Sequence, residues 1–567
     1  MKLNNHPFRT AALLLLVMLA AACTKEDDFT ASPDEGTATA APLTITVTDG
    51  AYAPTETPDA PATRAVERGY GTEFTKGDQI GLYVVEMKDA SNPSNDNRKF
   101  LHQNLCLTHD GAGWTLPADT KLTHQPPAGG EILYFAYYPY QDNMEGNVDI
   151  NDLNPNGQGA EARRFFFRLI ERWQPADDQS TYEAYTASDL MVARGEVAKR
   201  TDGTDGSVLS FTMKHQMPLA VFRLPTTKYT YSETIDGKPT KKSYRLYSGL
   251  DAKAWLADDN TYRRIIKWYM ANNIGIEASY YNSSLERRSF SGTIKADSPG
   301  KYFLFTVDGG EETVVDRSLR EGDFYMRDGG IIPQEKVTDN MPSDVQADCL
   351  GVVFWVGEKL FADGQISHWT RTDYVKGDNL LMHDHPGCTH GLVVALKDAA
   401  VDKKPWSSSS TVATYTWLKT YSATGQETEK GLMLSSDPQY GYNASRRLQW
   451  FRDYGSHPTE AYNAIEAFAK ANPTPAGCSG WYFPGDNETT VMARGTLDYT
   501  KDLNMTKTLN EQFDKAGGNR FKTDGFYWSS SDIDLFPKNS FYVNFSNNSR
   551  TMESKQTNCY VRAVLAF

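Results

Sequence analysis

The residues EILYFAYYPY at positions 131–140 and FTMKHQMPLAVFRLP at positions 211–225 predict strands buried in a β-sandwich. Both runs are rich in aromatic and β-branched residues, which favour extended backbone, and a proline interrupts or ends each run. Shorter runs of the same kind are GDQIGLYVV at 77–85 and SDLMVA at 188–193. Gly, Asn, Asp and Pro separate these runs, and aromatic residues make up 12% of the chain, so we expect a mainly β protein.

The order of these four runs resembles the fimbrillin-like family of Bacteroidetes, which comprises the subunits of type V pili and their minor tip and anchor proteins. The resemblance covers roughly residues 64–333 and ends with YFLF at 302–305 and GDFYM at 322–326. It implies two tandem transthyretin-like β-sandwich domains, which we expect at residues 69–205 and 206–345. It also implies strand exchange: an arginine-specific protease removes a leader with its first strand, and a strand of another pilus subunit replaces it at the sheet edge.

Residues 1–23 have the features of a lipoprotein signal peptide. Lys2 and Arg9 precede an apolar run at 11–22, and Cys23 follows directly. This run is too short to cross the ~30 Å of hydrocarbon in a bilayer, whereas small residues before a cysteine suit a lipoprotein signal peptidase. We therefore expect lipidation of Cys23 to anchor the precursor in the outer membrane at the cell surface.

Residues 24–68 are expected to be a leader and linker, because a chain of this composition buries too little apolar surface to fold alone. One strand is predicted within them, LTITVT at 43–48, where apolar residues alternate with threonine before an Asp-Gly turn. The fimbrillin-like resemblance implies that this strand is the removable one. It also implies cleavage after Arg64, which has small neighbours, or after Arg68 as the second choice. Linker arginines without a role are the alternative.

Residues 346–567 differ in character and are predicted to form an appended α+β domain. The runs SGWYFP at 479–484, YWSSSD at 527–532 and CYVRAV at 559–564 resemble bacterial modules with a C-type-lectin-like fold. Two helices are also expected from apolar residues at helical spacing, namely Ala461, Ala464, Ile465 and Phe468 in the first and Leu509 and Phe513 in the second.

Four residues of metal-binding type lie at short spacing, namely His383, His385, Cys388 and His390. They come from one loop, with no distant acid or histidine implied, so we interpret them as structural and expect no metal and no cofactor. We also interpret His215 as a packed histidine of the β-sandwich.

Lipidation of Cys23 leaves an odd number of cysteines. We expect Cys106 to stay a free thiol. The others allow one or two disulfides, with buried single thiols as the alternative, and they are Cys349, Cys388, Cys478 and Cys559.

Composition and motifs favour adhesion over catalysis or nucleic-acid binding. The formal net charge of −14 offers no surface that neutralises phosphates. The sequence has no nucleophile elbow, phosphate-binding glycine loop or His-Glu-x-x-His motif, so we do not expect an enzyme. Trp406 and Trp450 are our candidates for exposed aromatic residues that contact a glycan or protein ligand on the host or on neighbouring bacteria.

The predicted function is that of a fimbrial subunit that associates with other pilus subunits by strand addition. The run CYVRAVLAF at 559–567 reads as an integral strand of the appended domain. This favours a tip adhesin, because a strand held in its own domain cannot complete the sheet of a neighbour. The alternative is a monomeric glycan-binding lipoprotein tethered at the surface, which needs no cleavage at Arg64 or Arg68.

Overall fold

The computed structural model describes residues 43–55, 70–90, 97–153, 162–200, 206–235, 238–268, 272–296, 298–357, 380–435, 440–498 and 500–567. Cys23, Arg64 and Arg68 lie outside these residues. Within them the chain is mainly β, as its sequence predicts. None of the helices in these ranges has both the length and the apolar character needed to cross a bilayer.

Apolar alternation and β-branched or aromatic residues form most of the strands. In chain order, the strands are β1 Leu43–Asp49, β2 Ala53–Pro54, β3 Gln79–Met87, β4 Arg98–His109, β5 Trp114–Thr115, β6 Glu131–Tyr138, β7 Met191–Lys199, β8 Ser207–His215, β9 Leu219–Arg223, β10 Thr226–Ile235, β11 Lys238–Arg245, β12 Trp255–Leu256, β13 Tyr262–Ile265, β14 Ile274–Tyr281, β15 Arg287–Ile294, β16 Lys301–Thr306, β17 Glu312–Asp316, β18 Phe324–Met326, β19 Ile331–Ile332, β20 Cys349–Val356, β21 Gly391–Asp398, β22 Lys404–Pro405, β23 Tyr527–Asp532, β24 Asn539–Asn544, β25 Ser549–Ser554, β26 Asn558–Cys559 and β27 Arg562–Ala566.

Short helices accompany the first strands, and longer ones lie in the C-terminal part. The α-helices are α1 Ala162–Phe165, α2 Phe167–Arg172, α3 Tyr182–Ser188, α4 Ser343–Asp348, α5 Leu380–Asp384, α6 Thr414–Thr420, α7 Glu427–Ser435, α8 Gly441–Asp453, α9 Glu460–Ala471, α10 Asp486–Arg494 and α11 Met505–Lys515.

The first sheet has the strand order β1-β8-β7-β6-β3-β4-β5, and only the β1–β8 pair is parallel. Strand β6 is buried on both faces, which explains why its sequence shows no polar alternation. Successive β6 side chains enter two different cores. Phe135 stacks on Phe165 of α1 with ring centroids 4.2 Å apart, while Tyr134 lies in the core that also holds Leu43 and Ile45.

The second sheet has the order β12-β13-β9-β16-β2, and the β14–β15 hairpin packs over it. Phe222 of β9 contacts Phe305 of β16 and Phe290 of β15, each with ring centroids 5.6 Å apart. The two layers therefore share an aromatic core in a sandwich-like arrangement. A further three-stranded sheet has the order β11-β10-β17, and its Tyr229 and Tyr244 pack in a core shared with the C-terminal part.

The C-terminal part is built on the sheet β19-β18-β20-β21-β27. Helices α10 and α11 cover one face, helix α9 covers the other, and the smaller sheets β22-β26 and β23-β24-β25 flank it. Both helices expected from the sequence are confirmed, as α9 and α11. Strands β18 and β19 precede the expected boundary at residue 346 yet pair within this sheet. The division into domains stays a prediction.

Candidate functional site

The leader segment, residues 43–55, lies along the edges of two sheets. Its strand β1 is an edge strand of the first sheet and runs parallel to β8. Its strand β2 is an edge strand of the second sheet and runs parallel to β16. The strand predicted at residues 43–48 is therefore confirmed, and the same short segment joins the two sheets.

The side chains of β1 alternate between core and solvent, as the two-residue period of a strand requires. Leu43 and Ile45 are 7% and 8% exposed and pack in the first sheet's core, while Thr44 and Thr46 are exposed. Thr46 Oγ1 donates to Ser210 Oγ of β8 at 3.0 Å. Apolar burial thus sets the register of β1, and the backbone ladder supplies its hydrogen bonds.

A carboxylate follows on the inward side of β1. Asp49 Oδ1 lies 2.9 Å from His215 Nε2 and accepts a hydrogen bond of 2.9 Å from the Ala51 N–H. The other oxygen, Oδ2, accepts from the Thr72 N–H. Burial would raise the pKa of Asp49, but the His215 imidazole and the backbone donors outweigh burial and lower that pKa below its ordinary value. Asp49 is therefore a carboxylate held inside the protein.

His215, the last residue of β8, lies between two carboxylates. Its Nδ1 is 2.9 Å from Asp189 Oδ1, opposite the contact with Asp49, and its side chain is fully buried. Burial would lower the pKa of this imidazole, but Asp189 and Asp49 outweigh burial and raise the pKa to about 9. At neutral pH, His215 is therefore an imidazolium with one carboxylate on each side.

Tyr52 of the leader segment completes this group. Its ring stacks on the imidazole of His215 with centroids 3.7 Å apart and an interplanar angle of 18°, a favourable position for a cation. Its hydroxyl donates to Asp189 Oδ1 at 2.8 Å. We call Asp49, Tyr52, Asp189 and His215 the buried latch. Two of its members come from the leader segment and two from the body of the protein.

Gly50 lets the leader segment approach β8 closely. Its N–H donates to Met213 O at 2.8 Å, and a Cβ added at Gly50 would lie 2.7 Å from the same oxygen. That oxygen belongs to the backbone, so a larger residue at this position would require the chain to shift.

Both described ends of the linker lie beside the buried latch. The Tyr52 N–H donates to Tyr70 O at 2.9 Å, and Thr55 Oγ1 donates to Tyr302 O at 3.0 Å. Residues 56–69, which include Arg64 and Arg68, connect these two places and lie outside the described residues. A cut in the linker would end the covalent connection of the leader segment and leave its non-covalent contacts in place.

The expected exposure of Trp406 and Trp450 is wrong. The two side chains are 1% and 3% exposed. Trp406 donates its indole N–H to Ser529 O at 2.9 Å, and Trp450 packs in a core cluster with Leu418. Large aromatic rings gain more from burial than from solvent contact, and the indole N–H finds a partner inside the protein.

The histidine and cysteine group does not converge on one point. His385 Nε2 is 3.1 Å from the hydroxyl of Tyr442, whereas His390 Nε2 donates to Ser243 O at 3.0 Å. The Cys388 thiol lies 3.4 Å from Ala566 O, and His383 pairs with the neighbouring Asp384. Across the part of the chain that the structure describes, no group of three or more His, Cys, Asp or Glu side chains could hold a metal ion.

The described cysteines are all free thiols. This agrees with the expected free thiol at Cys106, which is half-buried, and with the buried-thiol alternative for Cys349, Cys388, Cys478 and Cys559. Burial raises the pKa of Cys349, Cys388 and Cys559 to about 12.

Strand β27 is enclosed in its own sheet. It pairs with β21 on one side, and on the other side Tyr482 and Val564 exchange two backbone hydrogen bonds of 2.8 and 3.0 Å. Every residue of Arg562–Ala566 is buried. Strand β27 is therefore an integral strand of the C-terminal part, as the sequence predicts, and its backbone is not free to pair with another subunit.

The sequence indicates that His215 is a packed residue, but it does not identify the two carboxylates beside it. One signal was available: Asp49 continues the inward positions of Leu43, Ile45 and Val47, where a charge is costly without a partner. The identity of that partner depends on the pairing of β1 with β8.

Residues 63–284 match the model of the fimbrillin-like family. Over 515 residues the chain is 27% identical to, and a homologue of, a protein from Bacteroides ovatus that is described as a candidate fimbrium tip subunit, Fim1C, with 86% of each chain covered.

Two solved structures are also similar. A fimbrial protein from Bacteroides ovatus has a TM-score of 0.53 at 23% identity, with 93% of this chain and 100% of that chain covered, and it shares the fold. A candidate cell adhesion protein from Bacteroides uniformis has a TM-score of 0.23 at 16% identity and covers 43% of this chain and 88% of its own.

Proposed function

We propose that this chain is a subunit of a bacterial fimbrium that loses its leader segment by proteolysis and then accepts a strand of another subunit in its place. The fimbrillin-like match of residues 63–284 supports association with other fimbrial subunits at the cell surface. The observation that carries the exchange step is the leader segment itself, which occupies the edges of two sheets and precedes the linker with Arg64 and Arg68.

Departure of the leader segment would open two rows of backbone hydrogen-bonding groups. The edges of β8 and β16 would lose their parallel partners β1 and β2, and the pocket of Leu43 and Ile45 would be exposed. An unpaired sheet edge with an apolar groove binds an extended strand from another chain, because the main chain supplies affinity and alternate side chains fill the groove.

Processing begins, in this proposal, from a precursor lipidated at Cys23 and held in the outer membrane. Cleavage after Arg64 or Arg68 then ends the covalent connection of the body to the lipid anchor, and departure of the leader segment releases the body. N-terminal sequencing of protein isolated from fimbriae tests this step, with Ala65 or Gly69 as the expected first residue. A mature chain that begins only at acylated Cys23 would contradict it, and would favour a monomeric glycan-binding lipoprotein that keeps its anchor.

Placement at the fimbrial tip is the second element of the proposal. The homologue described as a candidate tip subunit supports it. Residues 346–567, which we compare with C-type-lectin-like modules, then carry the adhesive surface for a glycan or protein ligand. The ligand surface excludes Trp406 and Trp450, because both are buried.

Immunogold labelling with antibodies against residues 346–567 tests the placement. We expect gold at one end of each fimbrium, and label along the whole shaft would contradict a tip position. Loss of adhesion by blocking Fab fragments of the same antibodies is expected if this part makes the ligand contact.

A further inference from the structure

We propose that the buried latch selects the strand that replaces the leader segment: the incoming strand runs parallel to β8 and carries a carboxylate in the place of Asp49 and an aromatic ring in the place of Tyr52. This inference rests on the proposed function, since it requires the leader segment to leave. It states which strands can replace the leader segment, whereas the proposed function states only that the leader segment is replaced.

The division of the latch between two parts of the chain carries the inference. Asp49 and Tyr52 belong to the leader segment, and both would leave with it. His215 and Asp189 stay in the body, where His215 loses one of its two carboxylates and its stacked ring. Asp189 loses the hydrogen bond from the Tyr52 hydroxyl. The vacated site therefore offers an imidazolium N–H, a flat cationic face and a carboxylate acceptor.

A purely apolar strand would fit the groove poorly at this point. The side chain of His215 is fully buried when the leader segment is bound, so an incoming strand without a carboxylate would cover an imidazole Nε2–H that has lost the oxygen facing it. Covering a polar N–H without an acceptor is costly, while a carboxylate restores the contact. The latch therefore discriminates against strands that match only the apolar pockets.

The order of residues on the leader segment defines the accepted pattern. Leu43, Ile45, Val47 and Asp49 occupy alternate positions of one strand, so the carboxylate follows the last apolar residue by two positions. Gly50 comes next, because a Cβ there would lie 2.7 Å from Met213 O. The aromatic ring is three positions after the carboxylate, at Tyr52. The partner is therefore an extended segment with three alternating apolar residues, an acid, a glycine and an aromatic residue in this order.

Competition between peptides on the full chain tests the pattern. A specific protease site inserted into residues 56–69 allows the linker to be cut after folding, with all described residues unchanged. The cut chain is incubated with an excess of two differently labelled peptides of residues 43–55, one unaltered and one altered. Gel filtration then isolates the complex, and the ratio of the two labels gives the relative affinity.

The altered peptides separate the two features of the latch. We expect Asp49→Asn to weaken binding at least ~10-fold, because a buried charge-assisted contact is lost. Tyr52→Leu is expected to weaken binding by a similar factor, and Tyr52→Phe, which retains the stacked ring, by a smaller one. Thr46→Ser is the matched control, because Thr46 is exposed and serine keeps its hydroxyl, and it should compete equally.

A variant of the body tests whether the preference for a carboxylate at position 49 depends on His215. On a His215→Gln chain that retains a cooperative thermal transition, the preference for Asp49 over Asn should fall below ~2-fold, as expected for coupled residues. The peptide comparison on the unaltered chain stands without this variant if the variant does not fold.

The outcomes distinguish this inference from the proposed function. If the Asp49→Asn and Tyr52→Leu peptides compete as well as the unaltered peptide, the latch does not select, although strand replacement stands. If the cut chain captures no peptide, including the unaltered one, both the selection and the replacement of the leader segment are refuted.

Discussion

At position 49, β1 turns a carboxylate toward the core, although the preceding inward positions hold Leu43, Ile45 and Val47. The charge is tolerated because His215 supplies a counter-ion 2.9 Å away and because backbone N–H groups bind both carboxylate oxygens. The contact of this single acidic residue therefore fixes the pairing register at the end of the edge strand, whereas apolar contacts alone would permit the strand to slip.

The pH dependence of stability follows from the pKa of His215. Folding raises this pKa from its ordinary 6.5 to about 9, so the folded protein binds a proton that the unfolded chain releases between these values. The contribution is complete below pH 6.5 and lost as pH rises through about 9, which lowers the free energy of unfolding by roughly 3 kcal/mol. Urea unfolding of the full chain at a series of pH values between 6 and 9.5 measures this change in the free energy of unfolding, with a spectroscopic probe placed close to the leader segment.

A His215→Gln chain is the control for that measurement, and its stability should vary less across the same pH range. A wild-type profile that is flat between pH 6.5 and 9 would contradict a buried imidazolium. At the acidic end, the lowered pKa of Asp49 predicts a separate loss of stability as pH falls below about 3.8.

Gly50 gives a second prediction at a single residue. Gly50→Ala should destabilise the leader segment by about 1–3 kcal/mol, because its Cβ would lie 2.7 Å from a backbone oxygen. Hydrogen exchange of the β1 amides measures the effect. Gly113→Ala is the matched control, since an added Cβ there meets no atom within 4 Å, and exchange in β1 should then be unchanged. Equal effects of the two substitutions would argue against the close approach.

At the scale of elements, strand β6 shows why a sequence run without polar alternation forms a strand in this protein. Its side chains still alternate, but each face meets a core, so Tyr134 and Phe135 are both buried on opposite sides. The edge strand β1 has only one buried face and therefore keeps its threonines in solvent. The two patterns distinguish a central strand from an edge strand.

The leader segment should stay in its own groove when its linker cannot be cut. In an Arg64→Ala/Arg68→Ala chain, the covalent connection gives β1 a high effective concentration beside β8, so a strand from another subunit cannot compete. We expect the surface protein to keep its leader and to be absent from fimbriae, as measured by immunoblotting of sheared fractions. Glu67→Ala in the same linker retains both arginines and should assemble normally. Assembly of the double variant would refute processing at these residues.

At the scale of the whole molecule, the C-terminal sheet extends across the boundary that the sequence suggests. Phe324 and Met326 of β18 are fully buried and pair with β20. A chain that ends at Asp348 would expose them, at roughly 1.5–3 kcal/mol for each large apolar side chain. We expect it to bind a hydrophobic dye and to be less soluble than a chain that ends at Asp316, which lacks β18 and β19. Equal dye binding by the two chains would show that these strands do not depend on the C-terminal sheet.

The sequence alone determined the local elements of this protein. Alternation of apolar residues over residues 43–48 predicted β1, and apolar residues at helical spacing predicted α9 and α11. These predictions need only the local sequence, because side chains return to the same face at a fixed residue spacing in a strand and in a helix. The mainly β class and the fimbrillin-like resemblance likewise came from strand-forming runs and their order along the chain.

The tertiary structure alone decided what each buried face meets. Hydrophobic patterns indicate that a side chain is inside but not which neighbour it contacts, so Trp406 and Trp450 were expected at the surface and are buried. In the same way, Asp49 reaches His215 only because β1 pairs in parallel with β8, across more than 160 positions of sequence. Such a pairing depends on the free energy of the assembled sheets and cores, which no local stretch of the chain contains.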